Sequence, residues 1–131
     1  MTASERVDSI LDDWNQIDCV RFALWCAKRV EHLGIGYITR PSITSVERWL
    51  EYPSEKVRYS ASAAAFARND NQHYAHNAAY YAAMSAVGTP IRSAGSATLA
   101  CSAAATASGD TTAYDLLQIY LSEQLLSVVN L

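Results

Sequence analysis

The chain has 131 residues, with 10 Lys and Arg against 13 Asp and Glu, a formal net charge of −3. That length suits one domain that buries a core without disulfide or metal staples. The acidic balance argues against a general nucleic-acid binder, because such proteins draw their affinity from clustered Lys and Arg that neutralise phosphates.

Half of the residues are apolar, but many of these are alanine, so close helix packing has to stand in for bulk. The opening MTASERVDSI has no basic segment followed by an apolar one, and no secretory leader is expected. Arg68, Asp70, His73, Asn77 and Arg92 interrupt the alanine tracts. No uninterrupted apolar run therefore approaches the roughly 20 residues needed to cross a bilayer. Cys19, Cys26 and Cys101 are an odd set. The first two are separated by about 10 Å of helical rise, too far for a disulfide. Such thiols suit a reducing cytoplasm.

In chain order, residues 1–17 read as an acidic helical segment. Thr2 and Glu5 have capping-box spacing, and Val7, Ile10, Leu11 and Trp14 form an apolar stripe. Glu5, Asp8, Asp12, Asp13 and Asp18 face only Arg6 in charge. This acidic segment either steers a cationic partner or simply faces water. Residues 18–53 read as a helix pair. Asp18 is placed to cap a helix with Cys19, Val20, Ala23, Cys26, Ala27, Val30 and Leu33 on its inner face, ending at Gly34 in a left-handed turn. Residues 34–42, with two glycines, Pro41 and β-branched Ile35, Ile38 and Thr39, read as an extended linker. Thr44 and Glu47 repeat the capping-box spacing ahead of Val46, Trp49 and Leu50, and Pro53 closes that short helix.

Residues 54–131 read as an alanine-rich array. Stops at 69–71, at Gly88-Thr89-Pro90 and at Gly109-Asp110 divide it into single helices separated by tight turns, so successive helices run antiparallel. Runs such as Ala63 to Ala65 and Ala78, Ala79, Ala82 and Ala83 mark contact surfaces. The last helix, from Thr112 through Leu126, is the most hydrophobic and is expected to be the hub. The fold class is all-α, a compact bundle or short curved stack of six to seven antiparallel helices.

The chemistry-bearing residues are sparse. His73 and His76 sit three apart and could share an ion with His32 or Asp115. A zinc centre needs three or four ligands, however, and neither HExxH, CxxC pairs nor a carboxylate three before a histidine is present. Solvent-facing histidines in a helix's first turns are the plainer reading. No Ser or Cys has a local base and orienting group, and Cys101 reads as a small core residue. Glu47, Glu51 and Glu55 read as a solvated face, and the glycines at 34 and 36 are too close together for a dinucleotide loop. Neither a cofactor nor catalysis is expected.

Features suited to gripping a partner stand out more. Arg21, Trp25, Lys28 and His32 recur at helical spacing opposite the apolar face, and Trp and Arg are favoured interface anchors. His73, His76, Asn77, Tyr80 and Met84, beside Tyr81, form a comparable outward set. The plainer alternative has these rings filling gaps over a neighbouring helix with their polar tips wet.

The segments LWCAKRVEHL (24–33), RPSITSVERWL (40–50) and SAAAFARNDNQHYAHNAAYYAAMSAVG together resemble a family of small, alanine-rich helical immunity proteins from bacterial toxin gene neighbourhoods, over roughly residues 20 to 110. The resemblance implies a chain that binds a cognate toxin and occludes its active site, without turnover or cofactor. A phage-encoded inhibitor of a host defence protein has the same physical requirements. A metal-binding enzyme built on His73 and His76, and a subunit that self-assembles through its aromatic faces into a homo-oligomer, are the readings from other classes.

Overall fold

In this computed structural model, residues 1–53, 71–87 and 90–129 are described. They form six α-helices and one 3₁₀ turn: α1 (Ala3–Leu11), α2 (Gln16–Val30), the 3₁₀ turn Glu31–Leu33, α3 (Gly36–Glu51), α4 (Asn71–Val87), α5 (Pro90–Ser108) and α6 (Ala113–Val129). No strand occurs among the described residues, and the architecture is the expected all-α bundle. No described helix is long and apolar enough to cross a membrane. The expected helix between residues 54 and 70, with its Ala63 to Ala65 run, and the Gly88-Thr89 turn lie outside the described residues.

Two capping boxes open helices as their spacing implies. Thr2 Oγ1 accepts from the Glu5 N–H at 3.1 Å, while the Glu5 carboxylate accepts from the Thr2 N–H at 3.3 Å. Thr112 and Asp115 make the same reciprocal pair at the start of α6. Each box satisfies two backbone donors that the first helical turn leaves without partners. At α2 the cap is Asn15 rather than Asp18: Asn15 Oδ1 accepts from the Asp18 N–H at 2.9 Å. Asp18 instead places its charge in the first turn, where the helix dipole favours it. Gly109, after α5, adopts a φ of +84°, the left-handed geometry that glycine enters without a Cβ penalty.

The expected linker at 34–42 is helix. Both the Ile38 and Thr39 N–H groups bond to the Ile35 carbonyl, and α3 then runs unbroken through Pro41 to Glu51. Pro41 is exposed, so the carbonyl its ring leaves without a donor can be hydrated. Burial decides the matter: Ile38, Thr39, Ser42, Ile43, Val46 and Trp49 form one inward face, and their packing outweighs the β-branched residues' local preference. Thr44 and Glu47 therefore lie inside the helix, and Glu47 pairs with Lys28 and Arg40 instead of capping. The helix stops where expected, since Tyr52, held before Pro53, leaves the α region at φ −134°, ψ 83°.

Gly34 is extended, at φ −100°, ψ 179°, not left-handed as expected. What requires glycine is space. A Cβ there would lie 2.9 Å from Thr39 Cγ2 and 3.0 Å from His76 Cδ2. The Ile35 N–H, one residue on, donates to His76 Nε2 at 2.9 Å. The α2–α3 connection is thus clamped against α4.

The hub is α2, which touches α3, α4, α5 and α6, whereas the most extensive pairing is α4 with α5. The two helices bury chiefly methyls: Ala75, Ala78, Ala79, Ala82, Ala83 and Ala86 on α4 and Ala94, Ala97, Ala100 and Ala104 on α5 belong to one buried core. The Ser93 hydroxyl donates to the Ser85 carbonyl at 2.6 Å, joining the two helices with a short polar contact. Larger core residues, chiefly Phe22, Leu11, Ile43, Leu116 and Leu117, sit where α1, α3 and α6 close over that layer. The expectation that α6 would be central is not met. It buries Ala113, Leu116, Leu117 and Tyr120, then exposes every residue from Leu121 to Val128.

Overpacking tests this arrangement. Ala104→Leu and Gly34→Ala are each expected to lower stability by about 1–3 kcal/mol. Gly95→Ala, at an exposed mid-helix position with nothing within 4 Å of the added Cβ, is expected to raise it by about 0.5–1 kcal/mol. Urea denaturation of the three variants measures all of these changes; neutral effects at Ala104 and Gly34 would contradict close packing.

Candidate functional site: an aromatic and cationic trough between two helices

The aromatic residues of α2 and α6 meet at one corner of the bundle. Phe22 is fully buried and Tyr120 is 7% exposed. Their rings lie 5.0 Å apart, Trp25 lies 5.4 Å from Tyr120 in an edge-on arrangement, and Trp14 closes the cluster 6.1 Å from Phe22. Contacts of this kind contribute about 0.5–1.5 kcal/mol each beyond burial, so the cluster is rigid. Trp25 forms its half-exposed upper surface, oriented by a hydrogen bond of 2.8 Å from its Nε1 to Glu123 Oε2. Two hollows flank these rings. One is lined by Arg21, Leu24, Trp25, Lys28, Arg29, Tyr120 and Gln124; the other, towards Trp14, adds Asp18 and Leu121. They share Arg21, Tyr120 and Gln124, so together they make one trough along the α2–α6 seam.

Of the expected anchors, Arg21, Trp25 and Lys28 converge here. Arg21 and Lys28 are exposed, and Trp25 combines packing against Phe22 and Tyr120 with an accessible edge. His32 does not join them. It lies in the 3₁₀ turn, whose tighter winding takes it off the α2 stripe, and it lines a separate hollow with Arg29, Leu33 and Ser108. Arg29 was not singled out in the sequence, yet its guanidinium lies 5.2 Å from the Trp25 ring, within range for a cation–π contact.

The set on α4 is elsewhere, since no α4 residue lines the trough. Tyr80 and Tyr81 are half-buried and pair edge-on at 5.4 Å. His73 is also half-buried, with its Nε2 3.0 Å from the Asn77 amide nitrogen. His76 was expected to face outward and is instead 3% exposed. It lies on the alanine stripe, three residues before Ala79, and its Nε2 lone pair is committed to the Ile35 N–H. Both Nε2 atoms are thus engaged within the fold. Among the described residues, no three His, Cys, Asp or Glu side chains group closely enough to hold a metal ion.

Tyr120, Leu121, Glu123 and Gln124 were also not singled out. A partial signal existed: Leu121, Leu125, Leu126 and Val128 point round more than one side of a helix, more than a single packed face requires. All four are exposed, by 38%, 65%, 59% and 66%, and Leu121 lines the trough.

Cys19 and Cys26 lie buried in the core, and their surroundings hold them protonated. Burial, reinforced by Asp18 and Asp12, pushes the Cys19 thiol up to about 11. Cys26 is raised well above the ordinary thiol value by burial, then by its hydrogen bond to Cys101, with Arg29 opposing. Tyr120 is raised too, first by burial and then by Asp18, with Arg21 opposing. Its phenol is therefore uncharged at neutral pH. A protonated, buried thiol is a poor nucleophile.

Comparison with known proteins gives no match to a family model, to a curated protein or to a solved structure.

The thiols carry a pH signature. In the unfolded chain they ionise near about 8.5, whereas in the fold Cys19 and Cys26 retain their protons above that value. The native state then binds more protons, so stability is full below about pH 8.5 and falls as pH rises towards 11. Urea midpoints at pH 7.5 and pH 9.5 are expected to differ in the wild type and to converge in a Cys19→Ala, Cys26→Ala variant; equal slopes would contradict the assignment.

Proposed function

We propose that this chain is a non-catalytic protein-binding module whose docking face is the α2–α6 trough and the exposed end of α6. One observation carries the reading: Trp25 is partly exposed on a packed aromatic base, with Arg21, Lys28 and Arg29 around it and the exposed aliphatic end of α6 following on from Tyr120. Aromatic and arginine anchors held in place before binding lose little side-chain freedom in a complex. Aromatic and arginine anchors with exposed apolar side chains nearby are features of macromolecular contact sites.

Within this reading, the resemblance to alanine-rich immunity proteins supports a chain that sequesters a toxin by covering its active site, and a phage-encoded inhibitor of a defence protein requires the same surface. The partner is a protein, and complementarity rather than turnover is the mechanism. The buried, protonated Cys19 and Cys26 and the internally committed His76 favour this over nucleophilic or metal chemistry.

Quantitative capture from host lysate, with wild type, Trp25→Ala and a Leu125→Glu, Leu126→Glu pair, tests the surface. The same partner is expected to be retained by the wild type and reduced at least about tenfold, or roughly 1.4 kcal/mol, by either change. Undiminished capture by both variants would contradict it. Tyr80→Ala and Tyr81→Ala, away from the trough, are expected to retain the partner.

A further inference from the structure

We infer that the trough takes an acidic amphipathic helix of the partner protein. This rests on the protein-binding reading and adds the chemistry of what is bound.

The charge distribution is the first argument. The whole chain is acidic, yet the α2 rim of the trough carries Arg21, Lys28 and Arg29. Lys28 shares Glu47 at 3.7 Å. Among the described residues, Arg21 and Arg29 have no carboxylate at ion-pair distance. The carboxylates at the trough are Asp18, at its Trp14 end, and Glu123 on the α6 side, held by Trp25. The field is therefore polarised across the trough, positive along α2 and negative at α6 and at one end. A ligand with one acidic edge and one apolar edge fits that polarity in a single orientation, with its carboxylates towards α2.

Spacing is the second argument. Arg21 and Lys28 are seven residues apart on α2, two turns or about 10.5 Å along the axis, so carboxylates seven apart on a helix laid alongside would meet both. Between them Leu24, Trp25 and Tyr120 offer an apolar floor, which Leu121 and Leu125 extend along one face of α6 at i, i+4. An amphipathic helix presents its anchors at this repeat when it occupies a groove.

Other occupants fit less well. A nucleic acid could stack on Trp25 and meet the arginines, but it would also meet Asp18, Glu123 and aliphatic side chains that neither stack nor neutralise phosphate. A second copy would have to offer α1, the acidic amphipathic helix of this chain. The apolar face of α1, Val7 and Leu11, is fully buried in its own bundle.

The test uses the full chain and three fluorescein-labelled probes read by anisotropy. They are a helical peptide with leucines at i, i+3, i+4 and i+7 and glutamates seven apart, its Glu→Lys counterpart, and an oligo-dT strand. The glutamate peptide is expected to bind best, to weaken as salt rises, and to lose at least about tenfold in affinity in Arg21→Glu, Arg29→Glu. That variant is expected to gain affinity for the lysine peptide. Preference of the wild type for the lysine peptide or the oligonucleotide, or an unchanged affinity in the charge-reversed variant, overturns the inference. So does sedimentation showing a dimer that the variant dissolves. If neither peptide binds while Trp25-dependent capture from lysate persists, the acidic helix is overturned and the docking face stands.

Discussion

The helices α4 and α5, the most extensive pair in the bundle, bury almost only alanine, and the larger side chains of the core come from the other helices. With alanine at six buried positions on α4 alone, the helices can approach towards the about 8 Å end of the usual interaxial range. A layer this thin has no room for indole or phenol rings. Trp14, Trp25 and Tyr120 gather where helices of larger residues close over the layer, at the α2–α6 corner, and Trp25 remains partly exposed there. The same constraint explains Gly34, since the α2–α3 connection passes so close to α4 that a methyl would collide with Thr39 and His76.

A bundle organised in this way separates its stabilising interior from its surface chemistry. The alanine layer, the clamped Ile35–His76 contact and the buried thiols belong to the interior of the bundle. The trough carries the cations, the partly exposed indole and the start of a helix end whose residues 121–128 are all exposed. A rigid interior beneath a preorganised surface suits a protein that acts by fitting another, because little ordering remains to be done on binding.

Much of the helical architecture was legible because its signals are local. The box at Thr2, the stop at Gly109-Asp110 and the proline at 53 each act within a few residues, and α1, α5 and α6 begin and end close to where the sequence signals lie. The errors came from tertiary burial. Gly34, Ile35, Ile38 and Pro41 together read as linker, although Ile38, Ser42, Ile43, Val46 and Trp49 already had helical spacing; that period, carried back through Pro41, was the available signal. His76 looked like a polar residue on an outer face because it shares helical spacing with His73 and Tyr80, and an alanine-rich helix has almost no hydrophobic asymmetry from which to read its inward face. The hydrophobicity of α6 suggested a central helix for the same reason, since composition says how apolar a helix is and not where its neighbours end. The α2 half of the trough was visible as Arg21, Trp25 and Lys28. Its other half was not, because no local rule says that Tyr120 and Glu123, about a hundred residues away, return to Trp25.

Residue-resolved native-state hydrogen exchange tests most directly the claim that the alanine layer is the stable centre and α6 beyond Tyr120 a presented surface. The slowest amides are expected in α2, α4 and α5, exchanging only through global unfolding, while those of residues 122–129 exchange much faster. Global-level protection at the end of α6, with fast exchange through Ala78–Ala83 and Ala97–Ala104, would contradict it.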